Sequence, residues 1–87
     1  MFNYKLYKNA PIEKLEVLAF ALGIDSGEFK STKDYITSFI KYESKPARLN
    51  HDLIGRLCVD RLNRPALSGT GSARKMLDII KKWVLGK

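Results

Sequence analysis

The residue types best suited to chemistry gather in one stretch, Leu67-Ser68-Gly69-Thr70-Gly71-Ser72-Ala73-Arg74-Lys75-Met76-Leu77, where a glycine-rich turn runs into a basic, apolar segment. Phosphate recognition needs this kind of set: backbone that an anion can approach, N–H and O–H donors, and positive charge. Two kinds of phosphate compete. A nucleotide P-loop requires G-x-x-x-x-G-K-[ST], so that the backbone wraps the phosphates and a lysine reaches the terminal one. Here Gly69 and Gly71 have the wrong spacing, Arg74 and Lys75 fall inside a helical pattern, and no apolar strand precedes the turn. The pattern fits a nucleic-acid backbone phosphate instead. The contact residues would be Ser68, Thr70, Ser72, Arg74 and Lys75, with Thr70 and Ser72 donating hydroxyl hydrogen bonds and the two cations neutralising charge. The plainer alternative is that Ser72 only caps a helix and the cations are solvated.

Other reactive residues offer less. His51 is the only histidine and stands at the start of a helical pattern, as a surface residue would. Cys58, the only cysteine, falls on an apolar helical face and reads as core. No Cys/His set has metal-ligand spacing. Asp52 and Asp60 are too far apart along one helix to share a proton, and Glu13 and Glu16 sit where the helix dipole favours carboxylates. The expectation is a protein that is not an enzyme, with no cofactor, metal or small-molecule substrate.

Charge reinforces the phosphate reading. The net charge is +7, yet residues 1–43 carry six Lys/Arg against six Asp/Glu, so residues 44–87 hold all of it. A basic half joined to a neutral half points to one surface for a polyanion and another for packing or a protein partner. Lys45, Arg48, Arg56 and Arg64 are further candidate phosphate contacts, with Arg61, Lys81 and Lys82 adding to the field. Arg56 and Arg64 share a helical stripe if the third helix persists that far. Affinity should then fall by about 0.9 log units per log unit of salt for each phosphate neutralised. A single cysteine fits a reducing compartment, no apolar run approaches about 20 residues, and the N-terminus lacks a signal-like apolar core. These features favour an intracellular protein of cytoplasm, nucleoid or nucleus, with no membrane partner.

Four helices must position these residues. Pro11 opens the first, Ile12, Leu15, Leu18, Ala19 and Leu22 form its inner stripe, and Gly23 with Ile24 closes it as in a Schellman ending. Val17, Phe20 and Ala21 lie off that stripe and are expected to bury against the other half, the alternative being an exposed groove for a partner or for self-association. Ser31 or Thr32 caps the second, with Ser31 and Asp34 at capping-box spacing and Tyr35, Ile36, Phe39 and Ile40 inward. Residues 43–49, "ESKPARL", break the pattern at Pro46. Asn50 caps the third, with Leu53, Ile54, Leu57, Cys58 and Leu62 inward. Ser72 caps the fourth, whose inner face is Met76, Leu77, Ile80, Trp83 and Val84 and which ends at Gly86. Phe2, Tyr4 and Leu6 form a short N-terminal arm packed on the helices.

The two halves align. A shift of 42 places Ile12 on Ile54, Leu15 on Leu57 and Gly27 on Gly69; a shift of 41 places Lys33 on Arg74, Phe39 on Ile80 and Tyr42 on Trp83. "LGIDSGEFKSTKDYITSFIKYE" (residues 22–43) resembles the second half of a LEM domain, and "SGTGSARKMLDIIKKWV" (residues 68–84) resembles both that signature and the SAP motif. The resemblance covers residues 11–43 and 53–84. It implies the helix–extended loop–helix group, in which SAP modules bind duplex DNA with little sequence preference and LEM modules more often bind protein. Glu28 and Phe29 depart from the LEM loop pattern, so the first loop is a weak DNA contact.

The expected architecture is all-α: a single domain over residues 1–87, made of a neutral LEM/SAP-like helix pair (11–43) and a basic SAP-like pair (50–86) with a short arm. The expected function is non-enzymatic binding of double-stranded DNA through backbone phosphates with low sequence specificity. A protein partner would meet the neutral first half. The rival class is a protein–protein interaction module, a small viral or phage factor docking on an acidic partner surface through the same basic half. RNA ranks third, because the basic half has only Trp83 to stack on bases.

Overall fold

Local stop and start signals explain where the helices fall in the computed structural model, which describes residues 4–43 and 49–86. They are α1 (Ile12–Ala21), α2 (Thr32–Glu43), α3 (His51–Leu62) and α4 (Ser72–Val84), after a single 3-10 turn at Tyr4–Tyr7. No strand occurs among the described residues. Pro11 lies just outside α1 in extended conformation, and its carbonyl accepts from the Lys14 and Leu15 N–H groups. At the other end Ile24 N–H bonds to Ala19 O at 2.9 Å and Gly23 N–H to Phe20 O at 3.1 Å. With Gly23 at φ 75°, that is the expected Schellman ending. Asn50 caps α3 by accepting from Leu53 N–H at 3.1 Å. Asn63, left-handed at φ 56°, ends that helix.

The core is built from all four helices. Leu15, Leu18, Ala19 and Leu22 of the first pair meet Ile54, Leu57, Cys58, Met76, Leu77, Ile80 and Val84 of the second. The buried arc of α1 is wider than one stripe: Val17 and Ala21 are enclosed, as expected of them. Successive residues turn by about 100°, so widening the arc to that side leaves Ile12 at its edge and Phe20 opposite. Both are exposed, Phe20 by 56%, which corrects the inward placement expected of them. In α2, Tyr35 and Phe39 are buried, Ile36 is half-buried and Ile40 is exposed, for the same geometric reason. The arm packs through Tyr7 rather than Leu6, which is exposed; the Tyr7 ring meets Phe39 edge-on at 6.1 Å. Burial and the nearby Asp78 charge push the Tyr7 hydroxyl up to about 12. Phe2 lies outside the described residues, as do Pro46 and most of the expected linker.

Two contacts tie the pairs into one body. Lys14 Nζ donates to Trp83 O at 3.1 Å and stands 4.9 Å from the centre of the Trp83 ring. That places a cation on the carbonyl end of α4, where the helix dipole favours it, and over the indole face. The radius of gyration, 12.2 Å, matches about 12 Å expected for one compact domain of this length.

The second pair has a distinctive path. After Asn63 the chain runs back along α3. Ala66 lies beside Gly55, so close that a Cβ on that glycine would stand 3.3 Å from it. Leu67 N–H then meets Met76 Sδ at 3.3 Å, and Leu67 O meets His51 Nε2 at 3.0 Å. Helix α4 therefore begins beside the start of α3, and both advance in the same direction: His51 contacts Ser72, and Cys58 lies against Met76. An extended return loop joins two helices that open at one end of the molecule.

Candidate functional site

That shared end carries the glycine-rich turn. Gly69 and Gly71 adopt φ 103° and 75°, a region L side chains rarely enter, and no atom lies within 4 Å of where a Cβ would stand on either. The backbone there is open to close approach. Gly71, not Ser72, is the residue preceding α4, and no side chain caps the helix. Ser72 N–H bonds to Gly69 O at 3.3 Å and Lys75 N–H to Gly71 O at 3.2 Å; among the described residues nothing accepts from the Ala73 or Arg74 N–H. The first turn has no acidic residue. Arg74, Lys75, Ser68 and Thr70 are all exposed around it. Unsatisfied amides, the positive end of the dipole and two cations thus coincide.

Ser72 does not belong to that set. It is 3% exposed, and its Oγ lies 2.6 Å from His51 Nε2. The serine was expected to cap α4 and donate to a ligand; instead it is turned inward as the first helical residue. The glycines at 69 and 71 let the helix begin one residue earlier than a serine cap at 72 would. His51 in turn is more than a surface residue. Its ring bonds Leu67 O and Ser72 Oγ together, fixing both ends of the turn to α3. The histidine directly after the Asn50 cap was the only signal of this.

The chain matches no protein-family model, and no curated protein and no solved structure is similar to it.

The remaining sequence candidates divide. Arg56 is exposed on α3. Arg64 does not continue its stripe, because α3 stops at Leu62 and the left-handed Asn63 turns the chain; Arg64 N–H bonds back to Cys58 O at 2.9 Å. Lys45 and Arg48 lie outside the described residues. Arg61 lines a groove of about 360 Å³ with Glu13, Glu16, Val17, Phe20, Ser26 and Leu57, in carboxylate company rather than beside the glycine turn. Lys81 and Lys82 lie in the last turn of α4, roughly 10 Å along the axis from Arg74 and Lys75, where they suit the carbonyl end. Cys58 is buried as expected, and burial pushes its thiol up. Among the described residues no group of His, Cys, Asp and Glu could hold a metal ion, and no helix is long and apolar enough to cross a membrane.

The start of α2 is built differently. Asp34 Oδ2 accepts from Lys30 N–H at 2.9 Å and from Ser31 N–H at 3.2 Å. The Lys30 amide above all, with Ser31 and the Lys33 charge, holds the Asp34 carboxyl below its ordinary range. Under the 41-residue shift, Asp34 aligns with Lys75 and Lys33 with Arg74. One helix opening carries its own anion. The other carries cations, Arg74 and Lys75, in its first turn.

Proposed function

We propose that this protein is a non-enzymatic binder of double-stranded DNA that holds backbone phosphates at the start of α4 with little sequence preference. The carrying observation is the uncapped first turn of α4, with free Ala73 and Arg74 amides, exposed Arg74 and Lys75 and no acid, where the first turn of α2 carries Asp34. A phosphate oxygen would accept from those first-turn amides. Thr70 and Ser68 add hydroxyl donors, and Arg56 extends the cationic field along α3. The extended return loop, fastened by His51, orders the turn before any ligand arrives, which lowers the entropic cost of binding. All five arginines of the chain lie in this half, the residue type whose planar fork matches phosphate. No helix presents a row of Asn, Gln and Arg for base edges, so specificity is low. The SAP resemblance of residues 68–84 points the same way.

The test is fluorescence anisotropy of a labelled random duplex of about 20 base pairs across a salt series. Micromolar binding that weakens with salt, and that is lost in a folded Arg74→Ala/Lys75→Ala protein, supports the reading. No binding at low salt overturns it.

A further inference from the structure

The half of the chain with no net charge is locally polarised. Three of its six lysines, Lys5, Lys8 and Lys33, line one groove of about 660 Å³ between the 3-10 turn and the first turns of α2, together with Thr32, Ile36 and Thr37. Among the described residues that line it there is no carboxylate. Asp34, the nearest acid in sequence, spends its Oδ2 on the Lys30 and Ser31 amides. Glu13 and Glu16 line a different groove, with Phe20.

The floor of the lysine groove is apolar: the Ile36 side chain, the methyl groups of Thr32 and Thr37, and the aliphatic stems of the lysines. Ile40, one helical turn beyond Ile36 on the same side of α2, is exposed and extends it. The volume falls within the usual range of about 300–1,000 Å³ for ligand sites. A nucleic-acid backbone offers charge but nothing apolar to lay on such a floor. The cations here are all lysine, point charges on flexible stems that suit scattered carboxylates better than bidentate phosphate. Carboxylates flanking aliphatic side chains match both the rim and the floor.

We infer that this groove docks an acidic amphipathic segment of a partner protein, with leucine-type side chains seated on Ile36 and Ile40 and glutamate or aspartate side chains meeting Lys5, Lys8 and Lys33. The site is separate from the start of α4 and does not depend on DNA binding there. A protein with both would bring an acidic partner to a nucleic acid through two separate cationic sites.

The probe is a labelled peptide of roughly 15 residues containing only Leu and Glu at helical spacing, with a polyglutamate peptide of equal charge as control. On the full chain, amide shifts in a two-dimensional NMR titration should move at Lys5, Lys8, Thr32, Lys33, Ile36 and Thr37 for the first peptide and not for polyglutamate. Lys8→Glu/Lys33→Glu should weaken the Leu/Glu peptide roughly tenfold or more while Arg74→Ala/Lys75→Ala leaves it unchanged. Shifts confined to residues 69–75, equal response to polyglutamate, or duplex DNA moving the groove amides would each overturn the assignment. Because the DNA titration reads Arg74 and Lys75 and this one reads Lys8 and Lys33, the two can fail independently.

Discussion

The openings of α2 and α4 answer the same problem in opposite ways. Every helix begins with amides that lack an internal partner, and leaving them dry is costly. In α2 the first turn carries an acid, Asp34, whose carboxylate accepts from the Lys30 and Ser31 amides just before the helix. In α4 the aligned position is Lys75, the preceding residue is Gly71 and nothing caps the turn. An acid in the first turn stabilises its helix and repels an external anion. An uncapped start exposed to water gives up some stability and leaves its amides open to one. Two helix pairs of similar pattern thus differ in the charge they set at a helix start.

The largest test of that contrast is on binding. Arg74→Ala/Lys75→Ala should remove two phosphate contacts, lowering the salt slope by about 1.8 and weakening duplex binding more than roughly tenfold at low salt, whereas Lys33→Ala in α2 should change it less than about twofold. Ser72→Ala comes next. It breaks the part-buried bond to His51 and should cost about 1 kcal/mol in denaturant unfolding, yet leave the salt slope of binding untouched. A change in slope would return Ser72 to the set of ligand contacts.

A subtler exchange is Lys75→Asp, which gives α4 the carboxylate α2 already has. It should stabilise the fold by about 0.3–1 kcal/mol while abolishing DNA binding, a gain and a loss from one substitution. If stability falls instead, the first turn of α4 is already satisfied by some other means. The smallest effect is in acid. Because the folded-state Asp34 carboxyl is held below its ordinary range, its contribution is present above the unfolded pKa and fades as pH falls through the folded one. Its exposure keeps that contribution small. Acid unfolding of Asp34→Ala should be slightly less steep below pH of about 4, where the natural protein loses its cap.

Periodicity and punctuation carried most of the fold. Four helices, the Gly23–Ile24 ending, the Asn50 cap and the Tyr35–Phe39, Met76–Ile80 and Leu15–Leu18 core were legible because each is a local signal. The exposure of Ile12, Phe20 and Ile40 was not, because how wide an arc a helix buries depends on how many neighbours it meets. The site was legible in part. Glycine spacing pointed to the turn and to Arg74 and Lys75. The inward roll of Ser72 depends on His51, twenty-one residues earlier, and the end of α3 at Leu62 takes Arg64 off the stripe of Arg56. The lysine groove brings Lys5 and Lys8 against Lys33, a juxtaposition that no short window of sequence contains.

The Lys14–Trp83 contact has a practical consequence. Trp83 is the chain's only tryptophan, and it stands where α1 grips the end of α4. Indole emission responds to a nearby ammonium and to water, so the native fluorescence of the molecule reports the seam between its halves. Each ligand can then be added without a label, and a change in emission will tell whether occupying one end of the molecule is felt across that seam.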